Sequence, residues 1–101
     1  MNIEKKVNGT TMDIALEGRL DTTTAPQLDA ALKESLDGIT ELNMDFEGLE
    51  YLSSAGLRVL LSAQKVMNRQ GKMTISHVNE TIMEVFEVTG FIDILTIREN
   101  G

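Results

Sequence analysis

Two adjacent serines, Ser53 and Ser54, are the residues whose type and setting best suit chemistry. They lie in the stretch LSSAGLRVLL, where a strand-like run gives way to a helix-like run. A hydroxyl at such a junction can cap the helix by accepting a backbone N–H hydrogen bond. It can also carry a phosphate, because a helix N-terminus has unpaired N–H groups and partial positive charge.

A helical wheel separates the two hydroxyls. At 3.6 residues per turn, Ser54 falls on the outward side beside Arg58. Leu57 and Leu61 fall on the border between the two faces, so we expect both to be partly exposed. Ser53 leans toward the core and is the better capping candidate. The arc that faces the sheet is predicted to contain Val59, Leu60, Ala63, Val66 and Met67.

Other kinds of catalytic or metal-binding site lack their required residues. The absence of cysteine excludes disulfides, thiol nucleophiles and thiolate ligands. His77 is the one histidine, and Leu52 stands where a Gly-x-Ser-x-Gly motif needs its first glycine. The carboxylates near strand ends lack metal-loop spacing and are predicted to form a solvated acidic rim: Asp21, Asp45, Glu47 and Glu50. We therefore expect no enzyme activity, no catalytic residue, no metal and no cofactor.

Composition and charge limit the class of partner. The composition is typical of one globular domain, and the net charge over the 101 residues is −7. Because lysine and arginine are scattered, nucleic acid and anionic membranes are unfavourable partners, whereas a protein with a basic patch suits this chain. No apolar run approaches the roughly 18 residues that span a membrane, and the N-terminus is charged where a signal peptide would be apolar. We expect a cytoplasmic protein.

Periodicity and turn residues predict strands that alternate with helices. The predicted strands, in chain order, are 3–7, 12–16, 39–46, 72–78 and 92–97. The predicted helices begin near Thr24, Ser53 and Asn79 and end at Gly38, Gly71 and Gly90. This order predicts an α/β fold with a mixed sheet of four to five strands and helices packed on it.

Three local signals define the connections between these elements. Asn8-Gly9 indicates a hairpin between the first two strands. The spacing of Thr24 and Gln27 is that of a capping box at the first helix. Glu47-Gly48 is predicted to turn the chain before the short apolar run that leads to the serines.

Three motifs then occur in a suggestive order. "YLSSAGLRVLL" is preceded by "GRLDTTTAPQL" and followed by "FEVTGFIDIL". In order and spacing these motifs resemble the STAS domain, and specifically the bacterial anti-sigma factor antagonists. The resemblance covers nearly the whole chain, so residues 1–101 are expected to form one STAS domain.

The resemblance implies a partner-switching function in transcription regulation. In that family, the serine at the helix start is phosphorylated by a partner that is both anti-sigma factor and serine-protein kinase. The unphosphorylated form binds this partner and so releases a sigma factor, and a serine phosphatase restores it. The phosphoserine corresponds to Ser54, and the acidic residue beside it corresponds to Asp21. The free chain is expected to be a monomer with a partner surface of Asp21, Thr22, Thr23, Thr24, Ser53, Ser54, Leu57, Arg58 and Leu61.

Several positions depart from the best-known members of the family. Ser53 stands in place of an aspartate, Ala55 in place of a second hydroxyl, and Arg58 in place of a glycine. Arg19 stands where an acidic residue is common. Two alternatives therefore stay open: a kinase that modifies Ser53 instead, and a constitutive interaction scaffold in which Ser54 is only a helix cap.

Overall fold

The computed structural model describes residues 1–98. The strands are β1 (Asn2–Asn8), β2 (Thr11–Leu20), β3 (Glu41–Leu52) and β4 (Lys72–Ser76). The helices are α1 (Ala25–Ser35), α2 (Ser54–Gln70) and α3 (Glu80–Thr89), and a short 3₁₀ helix follows at Phe91–Asp93. Within the described residues, no helix has the length and apolar character that a membrane crossing needs.

The four strands form one mixed sheet in the order β1-β2-β3-β4. β1 and β2 pair as an antiparallel hairpin, and Gly9 at its turn has a φ of 63°, which glycine adopts without strain. β2 pairs with β3 and β3 with β4 in parallel, with helices in the connections. The hairpin and the predicted α/β fold with a mixed sheet are confirmed.

The core lies between the sheet and the helices. Alternate residues of β2 and β3 are buried: Met12, Ile14, Leu16, Leu42, Met44 and Phe46. Leu28 and Leu32 of α1 are buried, and Leu60, Ala63 and Met67 of α2 are buried as predicted. Such alternation places one face of the sheet against the helices, which gives each element a single buried side.

The buried face of α2 is rotated from the predicted one. Val66 is 38% exposed, so its predicted place in the core is wrong. Leu57 is only 6% exposed, so its predicted partial exposure is also wrong. α2 packs against α1 as well as against the sheet. Its buried face therefore includes Leu57 as well as Val59, and it leaves Val66 exposed. The wheel assumed contact with the sheet alone.

The turn predicted at Glu47-Gly48 is wrong, because β3 continues through both residues. Ala15 pairs with Asp45 and Glu17 with Gly48, so β3 carries one extra residue at this point, as in a β-bulge. A second register shift lies between Gly18 and Arg19. Glycine suits the bulge, since a Cβ at Gly48 would lie 3.1 Å from the Leu16 carbonyl oxygen.

The C-terminal strand predicted at 92–97 is also wrong. Gly90 ends α3 in a left-handed conformation, with φ 81°, and the chain then turns into the 3₁₀ helix. Ile97 makes a single parallel bridge to Ile75 of β4. β4 itself ends at Ser76 rather than at the predicted Val78, because the next residue, His77, has a φ of 58°.

Candidate functional site

The predicted site lies where the C-terminal ends of β2 and β3 meet the N-terminus of α2. Leu20 and Leu52 pair across the two parallel strands, and both are buried. The backbone N–H of Ser53 donates to the Leu20 carbonyl oxygen at 2.9 Å. This bond brings the loop after β2, residues 21–24, beside the start of α2.

Asp21 organises the loop after β2. Its Oδ1 accepts the backbone N–H groups of Thr23 at 3.0 Å and Thr24 at 3.1 Å. The Thr24 hydroxyl accepts the Asp21 N–H at 2.9 Å and donates to the Arg19 carbonyl oxygen at 2.7 Å. The loop is therefore ordered by its own side chains, in the manner of an Asx turn.

The capping box predicted at Thr24 is wrong. Thr24 occupies the N-cap position of α1, but its hydroxyl makes no capping hydrogen bond because it is engaged within the loop. Its backbone has φ −95° and ψ −20°, whereas a capping residue is normally extended. Pro26 lies in the first turn of α1, where its missing N–H breaks no hydrogen bond of the helix.

The hydrogen bonds of the loop also set the charge of Asp21. The backbone N–H of Thr24 is the largest cause that holds the pKa of Asp21 below its ordinary value of 3.8. Desolvation opposes this shift, while the Thr23 N–H, the Thr24 hydroxyl and the Arg19 guanidinium add to it. Asp21 is therefore a fixed negative charge at neutral pH.

The two serines have different surroundings. Ser54 is exposed, as predicted, and it is the first residue of α2. Ser53 holds the N-cap position with an extended backbone, φ −98° and ψ 175°, so the role of Ser54 as the cap is contradicted. The Ser53 hydroxyl is buried and has no hydrogen-bond partner within residues 1–98, so the predicted side-chain cap is absent.

The remaining predicted residues separate into exposed and covered groups. Thr22, Thr23 and Arg58 are exposed, and Leu61 is half-buried. Leu57 lies beneath them in the core and offers little area to a partner. We define the loop–helix surface as the predicted set without Leu57: Asp21, Thr22, Thr23, Thr24, Ser53, Ser54, Arg58 and Leu61.

Sequence reasoning missed Tyr51, which lies at the edge of this surface. Arg19 and Tyr51 pair across β2 and β3, and the Arg19 Cζ lies 4.2 Å from the centroid of the Tyr51 ring. The Arg19 Nε lies 3.9 Å from the Asp21 Oδ2. The strand register would have indicated this contact, but the two bulges in β3 displace it from simple alternation.

Two carboxylates of the predicted acidic rim, Asp45 and Glu47, lie close to His77. One ligand atom from each of these three residues lies within 4.8 Å of the others. The Asp45 Oδ1 accepts the Glu47 N–H at 3.0 Å and lies 2.9 Å from the His77 Nδ1. These contacts engage the Asp45 carboxylate within the protein, and the expected absence of a metal stays a prediction.

Comparison with known proteins agrees with this architecture. The STAS domain family matches residues 2–100, and the chain belongs to that family. A Bordetella bronchiseptica protein named as an anti-sigma factor antagonist, BtrV, is 36% identical over 87 residues, 84% of this chain and 75% of its own. The anti-sigma-B factor antagonist of Staphylococcus aureus is 29% identical over 101 residues, which cover 98% of this chain and 94% of the relative.

Solved structures share the fold. An anti-sigma factor antagonist from Mycobacterium paratuberculosis superposes with a TM-score of 0.87 at 18% identity, covering 98% of this chain and 86% of the other. SpoIIAA in its unphosphorylated form superposes with a TM-score of 0.77 at 19% identity, covering 99% of this chain and 90% of SpoIIAA. Bacillus SpoIIAA in its phosphorylated form superposes with a TM-score of 0.75 at 20% identity, covering 98% of this chain and 93% of SpoIIAA. The solved structures show the fold, and the names of the sequence relatives support the general role of an anti-sigma factor antagonist.

Proposed function

We propose that this chain is an anti-sigma factor antagonist switched by phosphorylation of Ser54. The unphosphorylated chain binds an anti-sigma factor that is also a serine kinase, and so releases a sigma factor in the cytoplasm. A serine phosphatase reverses the modification. The chain is a monomer when free, catalyses no reaction itself, and needs no cofactor or metal.

The observation that carries this proposal is the exposed hydroxyl of Ser54 at the N-terminus of α2, beside the ordered Asp21 loop. Because the loop is held by its own hydrogen bonds, little conformational entropy is lost when a partner covers it. Small hydroxyls and the half-buried Leu61 form a compact surface that a partner can desolvate.

Phosphate on Ser54 would change the charge of this surface. A phosphoserine carries about −1.5 to −2 charges at neutral pH. Asp21 adds a fixed negative charge nearby, and the helix N-terminus and Arg58 compensate only part of the total. A partner that fits the neutral hydroxyl would have to bury or hydrate this charge, and either weakens binding. SpoIIAA, which shares the fold, is known in both forms.

Accessibility favours Ser54 over Ser53 as the phosphoacceptor. A kinase must reach the attacking oxygen, and the Ser53 Oγ is buried beneath the start of α2. The Ser54 side chain is exposed. The proposal therefore predicts that Ser54 is modified and Ser53 is not.

Site mapping tests this assignment directly. The wild-type chain, Ser54→Ala and the matched control Ser53→Ala would each be incubated with the purified cognate kinase and Mg·ATP, and phosphopeptides would be identified by mass spectrometry. We expect phosphate on the wild type and on Ser53→Ala, and none on Ser54→Ala. Phosphate on Ser53 alone would overturn the assignment, and no phosphate on any chain would favour a constitutive scaffold.

A further inference from the structure

A cation stacked on an aromatic ring borders the loop–helix surface. Arg19 of β2 lies two residues before Asp21, and Tyr51 of β3 lies two residues before Ser53, so each strand residue directly precedes a part of that surface. The Arg19 Cζ lies 4.2 Å from the centroid of the Tyr51 ring. The Arg19 side chain is 61% exposed and Tyr51 is 39% exposed, so both are accessible to a partner.

This pair is already held in position. The carbonyl oxygen of Arg19 accepts the Thr24 hydroxyl, which ties its backbone to the ordered loop. Stacking on Tyr51 restricts the guanidinium, so binding to it would cost less side-chain entropy than binding to an unrestrained arginine. Arginine and tyrosine are also among the residue types that contribute most binding energy at protein interfaces.

The guanidinium has donors that Asp21 does not use. The 3.9 Å between the Arg19 Nε and the Asp21 Oδ2 is longer than a hydrogen bond, and within residues 1–98 the guanidinium makes no hydrogen bond to the protein. Its planar N–H groups match a carboxylate, which can accept two parallel hydrogen bonds. Because the chain has a net charge of −7, a basic partner surface complements most of its charge. The same surface would repel the guanidinium of Arg19 unless it presented an acidic group there.

We propose that Arg19 and Tyr51 extend the loop–helix surface and select an anti-sigma partner that presents an aspartate or glutamate carboxylate to the guanidinium. Tyr51 supports the stacked guanidinium and covers one side of the contact. This inference rests on the proposed function, because the partner is the anti-sigma factor named there.

Charge reversal with a matched control tests the inference. Arg19→Glu and Lys72→Glu each lower the net charge by two units, and Lys72 is similarly exposed, at 71%. Lys72 also has an acidic neighbour, Glu41 at 3.3 Å, but it lies at the opposite end of the sheet. Arg19→Gln removes the charge while keeping the backbone carbonyl that Thr24 contacts. Tyr51→Phe keeps the aromatic ring, whereas Tyr51→Ala removes it.

Each variant would be titrated by calorimetry against the purified cognate anti-sigma factor with ADP, so that no phosphate is transferred. We expect Arg19→Glu, Arg19→Gln and Tyr51→Ala to weaken binding by about tenfold or more. Lys72→Glu and Tyr51→Phe should stay within about twofold of the wild type. The loss caused by Arg19→Gln should shrink as salt is raised, since an exposed ion pair is screened. Circular dichroism would check that each variant is folded.

The outcomes separate this inference from the proposed function. Absence of binding by the wild-type chain would overturn the proposed function and the inference together. Wild-type binding with equal affinities for Arg19→Glu and Lys72→Glu would overturn the inference alone. A concentration-dependent dimer of the free chain that Arg19→Glu abolishes would also overturn it, because the carboxylate would then come from a second copy.

Discussion

Replacement of Gly56 by alanine would test whether the start of α2 is fitted to the ends of β2 and β3. Gly56 lies in the first turn of α2, directly above the buried side chains of the two strand ends. A Cβ at this position would lie 2.7 Å from the Leu52 Cδ1 and 2.8 Å from the Leu20 Cγ. Favourable carbon–carbon contacts are about 3.5–4.0 Å, so the added methyl group would overlap both leucines by about 1 Å.

Two effects oppose each other in this substitution. Alanine is favoured over glycine within a helix by about 1 kcal/mol, and less near the helix end. Overpacking a well-filled core costs about 1–3 kcal/mol. The Leu52 methyl group can rotate away, but the Leu20 Cγ is a branch point and moves only with its whole side chain. We therefore expect Gly56→Ala to lower the free energy of unfolding by about 1 kcal/mol, which corresponds to about 4–8 °C in Tm.

Urea denaturation of Gly56→Ala, with Ser62→Ala on the exposed side of α2 as control, would measure this effect. The control should change stability by no more than about 0.5 kcal/mol. A double-mutant cycle with Leu20→Ala adds a sharper test, because removing the Leu20 side chain should make the added methyl group favourable. An increase in stability for Gly56→Ala alone, or no coupling with Leu20→Ala, would refute the close packing inferred here.

Three further predictions concern the core, the serine cap and the charge of the loop. Leu60→Ala should lower the free energy of unfolding in urea by about 2–5 kcal/mol, because Leu60 is fully buried; a loss below about 1 kcal/mol would contradict its place in the core. Ser53→Ala should change the free energy of unfolding by no more than about 0.5 kcal/mol, since the buried Ser53 hydroxyl makes no hydrogen bond. A loss of about 1 kcal/mol in the same assay would indicate that the hydroxyl caps α2. The ionised Asp21 carboxylate holds the loop by its hydrogen bonds, and these should be intact above pH 3.8. They should be lost as the pH falls through the pKa that Asp21 has in the folded protein, which is lower than 3.8. Amide exchange of Thr23 and Thr24 by NMR, compared with Asp21→Asn, would show this loss, and a transition above pH 3.8 would contradict the direction of the shift.

The predictable part of the fold is the part governed by periodicity. Alternating residues such as Met12, Ile14 and Leu16 identify a strand because only one face of the sheet is covered by helices. Leu28 and Leu32, spaced four residues apart, identify α1 as a helix because only one side of the helix packs into the core. The exposed Ser54 followed from its place on the wheel, one residue beyond the cap.

The errors arise where tertiary contacts decide between local alternatives. Glycine after a polar residue suits both a turn and a bulge, and the pairing with β2 selects the bulge at Gly48. The Thr24 hydroxyl could cap α1 or bind the loop, and Asp21 draws it into the loop. Leu57 was expected to be partly exposed because a wheel cannot anticipate that α2 also contacts a second helix. The Arg19–Tyr51 contact was missed because the two bulges shift the pairing of β2 with β3, and only the shifted register places Arg19 opposite Tyr51.

The proposed phosphorylation switch is tested most directly by calorimetric comparison of the wild-type chain with the same chain stoichiometrically phosphorylated on Ser54. Both would be titrated against the purified cognate anti-sigma factor with ADP, and phosphatase treatment of the modified chain would serve as the control for reversibility. We expect the unphosphorylated chain to bind, the phosphorylated chain to bind at least about tenfold more weakly, and phosphatase treatment to restore binding. Equal affinities of the two forms would contradict the switch and would leave a constitutive interaction domain.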